Sequence, residues 1–173
     1  MIRIAFLTIV SLLVLGNVAL AQNNTLPTVE LETLDGRKVK TTDVFTNDGN
    51  PIIISFWSTW CKPCIKELTT IQDEYIDWQE ETGVKLIAIS IDDNRTSSGV
   101  PMIVNAKGWE YEIYLDKNSD FKRAMNVVNI PHTLLLNDKL EVVWQHTSYA
   151  PGDEEELYEQ VLLLKENQGS GNK

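Results

Sequence analysis

Cysteine is scarce in this chain of 173 residues, which has only Cys61 and Cys64. A fold stapled by a framework of disulfides is therefore excluded, and both thiols lie within one four-residue window. Histidine is equally rare, with two residues. A structural zinc site wants four ligands, and there is no second cysteine pair to complete one. Positive charge is short as well: 15 Lys and Arg stand against 25 Asp and Glu, for a net charge of -10 and a pI of about 4.6. Nucleic acid is excluded as a partner, because neutralising phosphates takes clustered basic side chains. An anionic membrane surface is excluded for the folded domain on the same ground. There is no repeat at any period and no internal linker. What remains is 43% hydrophobic and 23% charged, enough to bury the core of one ordinary domain.

The one long apolar run stands at the start. Residues 4–21 are apolar apart from Thr8, Ser11, Gly16 and Asn17, with Arg3 before them, and the run ends Ala19-Leu20-Ala21 before turning polar at Gln22. Small residues at the first and third places of that triplet fit the pocket of a signal peptidase. Residues 1–21 thus read as a secretory signal peptide cut before Gln22. The alternative is an uncleaved anchor, for which the run is short, and only that alternative brings the chain to a membrane. On either reading the domain is periplasmic or otherwise exported. No cysteine lies near the junction, so a lipid-modified N-terminus is excluded. Residues 22–166 form the domain, and residues 167–173, without an apolar side chain, form a flexible tail.

Along the body, residues 29–34 and 37–40 read as a hairpin around Asp35-Gly36. Residues 51–57 are a continuous β-branched and aromatic run, the pattern of a strand buried on both faces. From 62 to 82 the apolar residues Ile65, Leu68, Ile71, Tyr75, Ile76 and Trp78 recur at helical spacing, and Gly83 supplies a stop. Residues 84–91 make a second buried strand. A helix over 97–108, a strand over 111–115 and a short helix over 119–125 follow. Residues 133–136 and 141–146 form an antiparallel pair, and 153–166 form an amphipathic helix through Leu157, Val161 and Leu164. Alternating strands and helices with a terminal hairpin predict an α/β fold with a mixed sheet flanked by helices. The turn at 57–62 follows the carboxyl end of a central strand, where open α/β folds place their sites.

Both cysteines sit at that turn. Two cysteines separated by two residues at a helix start face one side of the first turn and are close enough to bridge. Unpaired backbone N–H groups and the positive end of the helix dipole stabilise a thiolate on the first. Cys61 reads as the nucleophile, Cys64 as the resolving thiol. Pro63 suits the first turn, where its missing N–H costs nothing, and Lys62 adds a positive charge that favours the Cys61 thiolate. An inert disulfide closing so short a loop would constrain little chain entropy, which leaves redox exchange as its use.

The segment Phe56-Trp57-Ser58-Thr59-Trp60-Cys61-Lys62-Pro63-Cys64, with Ile130-Pro131-His132-Thr133 downstream, resembles the thioredoxin fold superfamily. More narrowly, it is similar to the secreted TlpA/ResA/CcmG-type thiol-disulfide oxidoreductases over residues 26–166. The resemblance implies a thioredoxin fold with an N-terminal β-hairpin and a helix-strand insertion over 97–115. It implies a cis-proline loop at Pro131, with Trp60, Ile130 and Pro131 receiving the substrate; an ordinary trans proline opening a strand is the alternative. It implies that Glu67 takes the proton from Cys64 as the resolving thiol attacks, against a solvated helix glutamate. The implied partners are disulfide-containing proteins, apocytochrome c or chains with mis-paired disulfides among them, and a membrane thiol donor that restores the dithiol. No cofactor is implied.

Two departures stand out. Plain thioredoxins carry an aspartate six residues before the first cysteine, where this chain has Ser55, and His132 follows Pro131 where a small polar residue is usual. His132 reads as a surface residue, or as a group that tunes the Cys61 thiolate. Two rival functions follow from the same residues. Cys61, Cys64 and His132 suit Cu(I), as in a copper chaperone. A thiol peroxidase needs a threonine three residues before its cysteine, where this chain has Ser58, with Thr59 one place off. Asp92-Asp93-Asn94 at a strand end reads as a turn, and Asp153-Glu154-Glu155-Glu156 as complement to the dipole of the last helix.

Overall fold

The computed structural model describes residues 26–46 and 48–170. The expected signal peptide and the last three residues of the expected tail lie outside them. Seven strands form one mixed sheet: β1 (Glu30–Thr33), β2 (Lys38–Lys40), β3 (Ile52–Trp57), β4 (Lys85–Ser90), β5 (Glu112–Leu115), β6 (His132–Leu136) and β7 (Val142–Thr147), in the order β2-β1-β5-β4-β3-β6-β7. β3, β4 and β5 run parallel, and the other pairs are antiparallel. The helices are α1 (Thr41–Val44), α2 (Lys62–Thr82), α3 (Val100–Lys107, entered through a 3-10 turn at Ser97–Gly99), α4 (Asp120–Ala124) and α5 (Asp153–Ser170).

β3 explains why the core has two halves. All six of its residues are buried, and side chains alternate across a strand. Ile53 and Trp57 therefore meet Leu68, Ile71 and Trp78 of α2 and Val161 of α5. Ile52, Ile54 and Phe56 meet Leu31, Phe45 and Phe121 on the opposite face. Helices on both faces of the mixed sheet are what buries such a strand twice.

α2 ends at Gly83, in the left-handed region at φ 74°, where a Cβ would lie 2.5 Å from Asn50 Oδ1. Glycine is favoured there by conformation, and any other residue would also have to displace the Asn50 side chain. α5 runs to Ser170 rather than ending at Glu166, so most of the expected flexible tail is helical. Among the described residues no helix is long and apolar enough to cross a membrane.

Candidate active site

Residue Cys61 caps α2: its backbone is extended and its Sγ accepts from the Cys64 N–H at 3.3 Å. Pro63 occupies the first turn, where it forfeits no helical bond. The two cysteines form a disulfide with Cα atoms 5.3 Å apart. Both are buried, Cys64 completely at 0% exposed and Cys61 nearly so at 6%. Of the two, only Cys61 keeps any contact with solvent. Trp60, 62% exposed, stands beside it, and Lys62 and Pro63 complete an exposed first turn.

The loop that delivers Cys61 is tied from below. Asp92, fully buried at the end of β4, accepts from the Thr59 N–H at 2.8 Å, the Thr59 hydroxyl at 2.6 Å and the Ser90 hydroxyl at 2.8 Å. The turn expected here exists, but Asp93 makes it, accepting from the Arg95 N–H at 2.9 Å. Asp92 does different work, because β4 directs it under the neighbouring loop while Asp93 faces outward. Thr59 and Asp92 are thus site residues missed in sequence. The available signal was a strand-end carboxyl in register with a strand that leads into the cysteines.

β6 starts directly after Pro131 and pairs His132 with Phe56, so the Pro131 loop stands beside the carboxyl end of β3. The Ile130–Pro131 peptide is cis. Pro131 is buried, and half-buried Ile130 packs on the core cluster that includes both cysteines. The His132 ring is half-buried, with Nδ1 2.8 Å from Thr147 Oγ1 on β7, and burial lowers its pKa. It is therefore not a free surface histidine. Among the described residues no three His, Cys, Asp or Glu side chains converge as a metal site. The copper set of Cys61, Cys64 and His132 is thus not assembled, both sulfurs being bonded to each other.

Glu67 lies one helical turn beyond Cys64 on the same face and is 5% exposed, not a solvated residue. Its Oε1 accepts from the Thr133 hydroxyl at 2.7 Å. Burial, the largest influence, pushes its pKa up to about 7; the Thr133 hydroxyl opposes this, and Asp153 and Glu154 reinforce it. The acidic start of α5 therefore does more than complement a dipole. Asp153 also pairs with His146, at 3.2 Å, and Glu154 accepts from the Tyr149 hydroxyl at 2.8 Å. The peroxidase geometry is not met: the Thr59 hydroxyl is committed to Asp92, and Ser58 is fully buried.

A cysteine pair offered in this way by this sheet belongs to a definite class, the thiol-disulfide oxidoreductases of the thioredoxin fold. Within it, the chain belongs to the AhpC/TSA family, which it matches over residues 23–145. It is 24% identical to the thiol-disulfide oxidoreductase ResA of Bacillus subtilis over 95% of this chain and 87% of the relative. It is 28% identical to the sporulation thiol-disulfide oxidoreductase A of the same organism, over 75% of this chain and 74% of the relative. The solution structure of a thioredoxin-like protein from Porphyromonas gingivalis matches with a TM-score of 0.72 and 47% identity, covering 82% of this chain and 92% of that one. The type within the class is that of ResA and StoA.

Proposed function

We propose that the chain is an exported reductant of protein disulfides that works through Cys61 and Cys64. The observation that carries this is the unequal burial of the two cysteines, with a buried carboxyl one turn beyond the inner one. A reduced Cys61 thiolate attacks a substrate disulfide, forms the mixed disulfide and expels the first substrate thiolate, which takes a proton from water. Cys64 then gives its proton to the Glu67 carboxylate and attacks Cys61 Sγ. The second substrate thiolate leaves, and the Cys61–Cys64 disulfide closes. Two electrons pass to the substrate.

Burial of Cys64 keeps it from attacking substrate first, and its neighbour Glu67 ionises near neutrality, where a base for a thiol is useful. Trp60 and Ile130 offer apolar surface beside Cys61, and the backbone before Pro131 offers strand-like pairing to an extended peptide. Lys62 favours the thiolate. His132, held by Thr147, acts on the loop rather than on the sulfurs. Reduction is the favoured direction, because an oxidising compartment already makes disulfides and a dedicated dithiol is needed to undo them. Apocytochrome c and mis-paired chains are the substrates that the resemblance implies, and a membrane thiol donor must recharge the pair.

The test is the equilibrium reduction potential of the pair, with insulin reduction at low enzyme-to-substrate ratio. A potential of about -250 mV with turnover supports a reductase. A potential of about -120 mV makes the chain a disulfide donor and overturns the direction.

A further inference from the structure

Ser55 and Thr133 are direct partners across the antiparallel β3–β6 pair. Side chains so paired stand on one face, their Cβ atoms about 5 Å apart, and this face is the one covered by α2, since Ile53, Trp57 and Leu135 pack there. Glu67 descends from α2 onto it. One carboxyl oxygen, Oε1, is taken by Thr133. The other, Oε2, has no hydrogen-bond partner among the described residues, and neither has Ser55 Oγ. Ser55 is 0% exposed and Glu67 5% exposed, so water does not reach them freely. A buried carboxylate oxygen without a donor is costly, and a serine hydroxyl turns to suit the acceptor it faces.

We propose that Ser55 and Thr133 form a two-hydroxyl cradle for the Glu67 carboxyl, with Ser55 the positioning residue that donates to Oε2 when Glu67 is ionised. A hydrogen bond from the Ser55 hydroxyl would act on the carboxyl in the direction that favours its charged form. The other groups facing Glu67 are Asp153 and Glu154 at the start of α5, which oppose its charge, with Tyr111 ahead of β5 and Tyr149 ahead of α5. Asp153 itself is paired with His146. Against these acidic neighbours, the two hydroxyls are what lets the carboxyl ionise near neutral pH. Two strands thus hold in place a base that α2 supplies.

The inference rests on Glu67 being the base for Cys64, and its test separates the two. The Glu67 side-chain carboxyl is titrated by carbon NMR in the full chain, oxidised, for the native protein and for Ser55→Ala. The midpoint is expected to move up by about one unit on losing the Ser55 donor. Ser55→Thr and Ser55→Val, equal in volume and differing in the hydroxyl, are compared in the same way. The threonine is expected to titrate below the valine. Equal midpoints in that pair, or an unchanged midpoint in a cooperatively folding Ser55→Ala, overturn the cradle. Insulin reduction against pH is followed alongside. An NMR shift without a matching shift of the rate profile keeps the cradle and overturns only the assignment of Glu67 as base.

Discussion

Asp92 receives both the backbone N–H and the hydroxyl of Thr59, at 2.8 and 2.6 Å. The bond pair crosses from the end of β4 to the residue two before Cys61, so the strand next to β3 fixes the loop that β3 leads into. Removing the carboxyl leaves a part-buried N–H and two hydroxyls without this acceptor.

Asp92→Ala is expected to cost about 3 kcal/mol, and Asp92→Asn about half of that, since the amide keeps one acceptor oxygen. Urea unfolding of the oxidised proteins measures both. Equal stability of Asp92→Ala and native protein would refute the anchoring role.

Glu67 makes stability depend on pH with a definite sign. The folded carboxyl titrates at about 7 against an ordinary 4.5. Between those values the folded chain keeps a proton that the unfolded chain loses, so this contribution declines as pH rises through the window, by about 3 kcal/mol in all. Glu67→Gln, neutral throughout, is expected to match native stability at pH 4 and exceed it at pH 8. A constant difference between the two proteins across that range would rule out the raised pKa.

The sulfurs are unequal, so their variants should be too. Cys64→Ser, once reduced and mixed with a disulfide substrate, is expected to accumulate a covalent adduct that mass spectrometry detects. Cys61→Ser, left with a thiol that is fully buried in the native fold, is expected to form little or none. Comparable adducts from both variants would defeat the assignment of nucleophile and resolving thiol.

Gly83→Ala is expected to cost about 1–2 kcal/mol through the left-handed backbone alone, with a further loss as Asn50 is pushed aside. Thermal unfolding reads it. A melting temperature at or above native would mean that α2 has another way to end.

Much of the frame was legible because it is periodic. β3 and α2 announce themselves by a β-branched run and by helical spacing, and the structure places them at 52–57 and 62–82. α1, one turn at Thr41–Val44, is too short to show a period. The cysteines were legible from their spacing, and Glu67 only through the family resemblance. Thr133 as its partner was not, since the hydrogen bond joins residues 66 apart in the chain. Asp92 was hidden for a related reason. Adjacent acids at a strand end look alike in sequence, and only the sheet decides which goes under the loop and which faces water.

The first strand finds its neighbour late. β1 pairs with β5, Glu32 lying opposite Leu115, and Lys117 reaches back to Glu32 at 2.5 Å. Loop closure over so long a stretch is slow, whereas β3, α2 and β4 follow one another and meet at once. The hairpin is therefore expected to dock after the β3–α2–β4 unit, and pulse-labelled amide exchange should find its amides protected after those of β3. By then the two thiols are already held one turn apart at the head of α2. With no third cysteine in the chain, an oxidant meeting a half-folded molecule has one intramolecular bond to make, and it is the native one.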